Sequence, residues 1–137
     1  MMKAAVLDVP GRILIRDVPV PVIAPEEILV RVKSVGICGS DFHYWKTGTV
    51  GTYVVREPLI LGHEFAGEIA DTGKAVADLA QGDRVVVEPG FPCRKCRSCR
   101  EGRYNLCPKK RFMGDPPTNG AFAEYVAVPS DFAYRMP

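Results

Sequence analysis

The sequence predicts a mainly β fold, a barrel or a sandwich of short strands. Three observations lead there. Pro and Gly are frequent, 12 and 13 of 137 residues, and both interrupt regular elements. Long stretches with helical periodicity are absent. Segments with strand character are short and recur at close spacing, as in all-β barrels and sandwiches.

The elements follow in order. Residues 3–8 and 12–18 flank Pro10-Gly11 and read as a hairpin. Residues 28–35 alternate, with Val30 and Val32 on one face and Arg31 and Lys33 on the other. Further strands are expected at 64–70, 83–87 and 123–128. Only 40–46 and 98–103 suggest helical turns. The chain shows no internal repeat, low-complexity tract or clear linker, so residues 1–137 are expected to form one domain.

Composition narrows the class. Hydrophobic residues make up 47% and charged residues 25%, as in ordinary globular domains. Such a chain can bury a core without disulfide staples. A net charge of +2 is too small to argue for nucleic acid or an anionic membrane as partner. No apolar run approaches the roughly 20 residues of a transmembrane helix. Asp8 and Pro10-Gly11 fall where a signal peptide needs an apolar core, so a cytoplasmic location is expected. The end, Arg135-Met136-Pro137, directly follows strand-like sequence and is expected to be a cut inside a longer protein.

Four of the five cysteines are clustered: Cys93-x2-Cys96-x2-Cys99-x7-Cys107. In a reducing compartment this favours a metal over disulfides. Four thiolates close a tetrahedral shell on zinc and leave no open position, so the site is expected to be structural. Arg94, Lys95, Arg97, Arg100 and Arg103 surround it, and nearby cations favour thiolates. An iron–sulfur cluster is the main competitor. A zinc ribbon needs a longer spacer between its knuckles. A nucleic-acid patch would need an aromatic stacking platform, which is missing.

The fifth cysteine, Cys38, lies in Val35-Gly36-Ile37-Cys38-Gly39-Ser40-Asp41. Downstream comes Leu61-Gly62-His63-Glu64-Phe65-Ala66-Gly67-Glu68. A lone Cys is more often a small buried hydrophobe than a ligand. The flanking Gly36, Gly39, Gly62 and Gly67 raise the odds of a built site, because they permit tight turns and close backbone approach.

Gly62-His63-Glu64-x2-Gly67, followed by Gly73 and Val76, resembles the zinc signature of the medium-chain dehydrogenase/reductase family. Cys38-Gly39-Ser40-Asp41 resembles that family's first ligand loop, and the four-cysteine lobe has its spacing. The resemblance covers the whole chain. Within the family it is nearest to sorbitol, xylitol and related polyol dehydrogenases, through Cys38 to Trp45, Gly102 to Leu106 and Gly120 to Tyr125.

The resemblance implies a GroES-like β-barrel with a structural zinc lobe, and a Rossmann domain for NAD or NADP that follows residue 137. It implies a catalytic zinc on Cys38 and His63, with Glu64 either a direct ligand or a residue just behind the metal. A further Cys or Glu ligand can follow the present end. The substrate implied is a small polyol or alcohol, and the intact enzyme a homo-oligomer, dimer or tetramer. Ser40 resembles the hydroxyl that relays the substrate proton, and His43 the next relay member, reached through the cofactor ribose. Locally, Ser40 also suits a helix N-cap and His43 an exposed turn. Phe42, Tyr44 and Trp45 could line a substrate cleft, and Tyr44 could offer its hydroxyl to a second substrate hydroxyl. Glu88 and Asp115 carry no assigned role. The resemblance also admits another zinc alcohol or threonine-type dehydrogenase of the same family, and two further readings compete: a non-catalytic zinc-stabilised β-barrel acting as an interaction module, and a quinone reductase relative. Cys38, Ser40 and His63 argue against the first, and the four-cysteine lobe argues against the second.

Overall fold

A computed structural model describes all of residues 1–137. The expected hairpin forms from β1 (Met2–Val9) and β2 (Arg12–Val18). β3 (Glu27–Gly36) holds the alternation seen in the sequence: Val30 is buried while Arg31 and Lys33 face solvent. Helix α1 (Gly39–Thr47) follows directly. Three short strands come next, β4 (Thr49–Val50), β5 (Tyr53–Val54) and β6 (Leu59–Ile60), and then the longer β7 (Glu64–Thr72). After β8 (Arg84–Val87) and β9 (Gly90–Phe91), the cysteine lobe carries one helical turn, α2 (Arg97–Arg100), and a 3-10 turn at Tyr104–Leu106. The chain closes with β10 (Arg111–Phe112), β11 (Tyr125–Pro129) and β12 (Ala133–Arg135).

Five strands form one antiparallel sheet in the order β11-β3-β7-β8-β12, and three form another in the order β2-β1-β6. Residues 120–124 join them. Ala121 and Phe122 donate to the carbonyls of Gly62 and Leu61, Ala5 donates to Phe122, and Val32 donates to Glu124. One segment thus hydrogen-bonds to both sheets, which curls them into a barrel. The main core lies inside the five-stranded sheet, built on Ile28, Val30, Ile69, Val85 and Val128, and closed by Phe91, Met113 and Phe132. A smaller cluster of Leu7, Tyr44, Leu59 and Leu61 clamps α1 against β1 and the segment after β6. Strands of two residues, such as β4 and β9, left no periodicity for the sequence to show.

Candidate metal centres

The open cluster is assembled by the ladder between β3 and β7. Its last register pair, Gly36 with Glu64, lies at the end of both strands. Cys38 follows just after β3 and His63 sits just before β7, so antiparallel pairing delivers both to one end of the sheet. Gly36 lets Glu64 lie close, since a Cβ on it would come 3.0 Å from Glu64 Oε2. Gly62 turns the chain at φ 89°, and its missing side chain admits the Phe122 ring. Side-chain donor atoms of Cys38, His63 and Glu64 lie within 4.8 Å of one another. Thiolate, imidazole and carboxylate are the donor types of catalytic zinc, held at about 2.0–2.3 Å with one position left open. The residues present therefore fit the ion.

Asp41 is the residue that sequence reasoning passed over. Its carboxylate is 4% exposed. One oxygen accepts the Cys38 N–H at 2.9 Å and the other the Gly62 N–H at 3.0 Å. The second also lies 3.8 Å from His63 Nδ1. A single buried carboxylate thus ties both ligand segments together. The Asp three residues after the Cys was the available signal, since that is the spacing of a reciprocal helix cap. The N-cap is Cys38, not Ser40 as its residue type suggested. Ser40 lies inside the first turn, and its hydroxyl has no protein hydrogen-bond partner and is not sealed from solvent.

His43 is exposed on α1 and shares no hydrogen bond with Ser40. Phe42 and Trp45 pack ring to ring at 5.5 Å, and both are exposed. Tyr44 departs from expectation. It is 1% exposed and packs among Leu7, Leu59 and Leu61, because this face of α1 turns inward. Its hydroxyl donates to Asp115 Oδ1 at 2.8 Å. Burial, then Asp115, push its pKa well above the ordinary tyrosine range. The hydroxyl is therefore committed inside the protein and does not face an open position.

The lobe is the second centre. Donor atoms of Cys93, Cys96, Cys99 and Cys107 also lie within 4.8 Å of one another. Cys96 caps α2, Cys99 lies on it, and Cys107 follows the 3-10 turn. Backbone N–H groups of Lys95 and Cys96 hold the Cys93 thiol down to about 6. Burial and the neighbouring sulfurs of Cys96 and Cys107 push Cys99 up to about 12. Four sulfurs this close ionise together only around a cation, so this set fits a closed zinc shell.

Three of the five basic residues around the lobe have carboxylate partners. Arg97 and Arg103 pair with Glu101, and Arg94 pairs with Asp131. Backbone donors, not these guanidiniums, favour the Cys93 thiolate. Arg94 also lies over the Phe132 ring at 5.6 Å. Glu88, unassigned from sequence, accepts the hydroxyls of Tyr104 and Tyr134. These contacts latch the lobe to the barrel.

The comparisons with known proteins agree with this geometry. The family model described as alcohol dehydrogenase GroES-like domain matches residues 24–137. A sorbitol dehydrogenase of Bacillus subtilis is 52% identical over 136 residues, which is 99% of this chain and 38% of that protein. D-xylulose reductase A of Aspergillus niger is 46% identical over 127 residues, 92% of this chain and 36% of that protein. A solved structure, an Escherichia coli oxidoreductase/dehydrogenase of unknown specificity involved in membrane biogenesis, superposes with a TM-score of 0.93 at 41% identity. That match covers 100% of this chain and 40% of the other. The chain thus spans about two fifths of the length of these relatives. The resemblance drawn from the three motifs and the GroES-like barrel it implied are both borne out, and the chain belongs to the alcohol dehydrogenase GroES-like domain family.

Proposed function

We propose that this chain is the zinc-binding catalytic domain of a dehydrogenase that oxidises a secondary hydroxyl of a polyol, of the sorbitol or xylitol type, to a ketone. The observation that carries this reading is the convergence of Cys38, His63 and Glu64 beside a separate, closed four-cysteine site. A zinc-stabilised interaction module needs only the closed site. Zinc held by Cys38, His63 and Glu64 would supply a Lewis acid for the substrate hydroxyl, and a bound nicotinamide would supply the hydride acceptor. NAD or NADP is assigned to a Rossmann domain outside residues 1–137. In support, every strand pair here is antiparallel, whereas dinucleotide binding uses parallel strands with a helical crossover.

The chain's own residues then divide the work. Asp41 orients the ligand segments by holding the Cys38 and Gly62 amides. Ser40, unpaired on the first turn of α1, takes the proton leaving the substrate hydroxyl. His43 passes it outward, through a bridging group, since the two side chains are not in contact. Tyr44 acts from the buried side, through Asp115. No helix is long and apolar enough to cross a membrane. We extend to the intact enzyme the homo-oligomeric state that the resemblance implies and the cytoplasmic location expected from Asp8 and Pro10-Gly11.

Steady-state kinetics of the intact enzyme on sorbitol, xylitol, ethanol and 2-propanol test the substrate class. A site built for a second hydroxyl leaves polar groups unpaired when the substrate lacks one. The polyols should therefore win in kcat/KM by about 100-fold or more. Equal or better kcat/KM for 2-propanol overturns the polyol reading and leaves the zinc dehydrogenase reading intact.

A further inference from the structure

The geometry points to Asp115 as a specificity-determining residue of the open site. We infer that its carboxylate accepts a hydrogen bond from a second hydroxyl of the substrate and disfavours phosphorylated or carboxylated sugars. This rests on the polyol reading above.

Position is the first ground. Asp115 lies in a tight turn, with its N–H on the Phe112 carbonyl and its own carbonyl taking the Thr118 N–H at 2.7 Å. The turn rides on the ligand segment. The Phe112 ring packs edge-on against His63 at 5.1 Å between centroids. A Cβ on Gly114 would lie 3.3 Å from the Gly62 nitrogen. Asp115 is thus held one residue from a contact with Gly62, itself next to His63.

Free acceptor capacity is the second ground. Tyr44 occupies Oδ1. Oδ2 has no protein partner and is not sealed from solvent. Several other carboxylates are paired with Arg or Lys, as Asp8, Asp17, Asp83, Glu101 and Asp131 are. Asp115 has no such partner. An ionised carboxylate only accepts hydrogen bonds. It matches a ligand that brings a second O–H and opposes one that brings a phosphate or carboxylate. Tyr44, sealed behind it, fixes the carboxylate and prevents it from rotating away. The hydroxyl-reading role expected of Tyr44 therefore passes to the residue it holds.

The test compares wild type, Asp115→Asn and Asp115→Ser in the intact enzyme, on sorbitol, sorbitol 6-phosphate and 2-propanol. In Asp115→Asn a single oxygen must serve both Tyr44 and the substrate. Asp115→Ser keeps an acceptor without charge, and thermal melting of each variant controls for folding. The expected result is a loss of about tenfold in kcat/KM for sorbitol, mainly through KM. Sorbitol 6-phosphate should improve by about tenfold as the repulsion is removed, and 2-propanol should change less than about twofold. Equal losses on sorbitol and 2-propanol, or no gain with the phosphate in either folded variant, overturn the inference. Those outcomes in an enzyme that prefers sorbitol to 2-propanol leave the polyol reading standing. A wild type that prefers 2-propanol overturns both.

Discussion

The two metal centres are built by opposite routes. The lobe gathers its four sulfurs from one local stretch, residues 93–107, wrapped by a single helical turn and a 3-10 turn. The open site draws on two segments on either side of α1, brought together by the β3–β7 ladder and tied by the Asp41 carboxylate. The first offers four donors, enough to close a tetrahedral shell, and the second presents an exposed carboxylate at its edge. A local closed shell suits folding, because metal binding to such a shell is coupled to folding of the loop that carries it. An assembled open shell serves chemistry, because the barrel already holds its ligands in place.

Exchanging one ligand at each centre should have the largest effects, and they should cross. Structural zinc carries about 10–16 kcal/mol in small zinc folds. Cys96→Ser should therefore lower Tm by about 10 °C or more, even though the barrel has its own core. Cys38→Ser should reduce turnover of the intact enzyme by more than about 100-fold and shift Tm by less than about 3 °C. In each variant elemental analysis should find one zinc lost of two. Activity lost in Cys96→Ser without any change in Tm breaks the comparison, and so does iron with inorganic sulfide in the lobe.

Asp41→Ala sharpens the contrast at the next level. It strands two backbone N–H groups in a buried place, each worth about 1–3 kcal/mol. Zinc affinity of the open site should fall by about 10–100-fold, read by chelator competition, while the lobe metal stays. Loss of the lobe metal first would mean that the two sites are not independent.

The smallest effect is expected at the latch. Arg94 and Asp131 are both more than half exposed, so Arg94→Ala should cost no more than about 1 kcal/mol in denaturant unfolding. Arg94 has φ 62°, a region where Gly is at ease. Arg94→Gly should therefore be more stable than Arg94→Ala by about 1 kcal/mol. A much larger loss in both would show that the lobe depends on the barrel for its shape.

The legibility of the fold followed element length. The hairpin, β3, β7, β8, β11 and the two helical turns were visible, because runs of four or more residues carry a period. The strands at Leu59–Ile60, Gly90–Phe91 and Arg111–Phe112 were not, since two residues have no period to detect. For the site, every expected metal ligand falls in one of the two clusters. The helper groups were harder. Asp41 was read as part of the first ligand loop without a role of its own, and Asp115 and Glu88 carried no assigned role. Their partners, Gly62, Tyr44, Tyr104 and Tyr134, are distant in sequence.

The amino-acid sequence by itself determined the donor chemistry: four thiols at wrapping distance, one Cys and one His-Glu pair on glycine-flanked loops, and short strands that suit a barrel or a sandwich. Only the tertiary structure decided how those groups are used. It placed Glu64 beside Cys38 through the last pair of a ladder. It made Cys38 rather than Ser40 the helix cap, buried Tyr44 and turned Asp115 toward it. Donor type and local spacing are written in consecutive residues. Which face of α1 points inward, and which carboxylate finds a partner, depends on packing between segments that the barrel alone brings into contact.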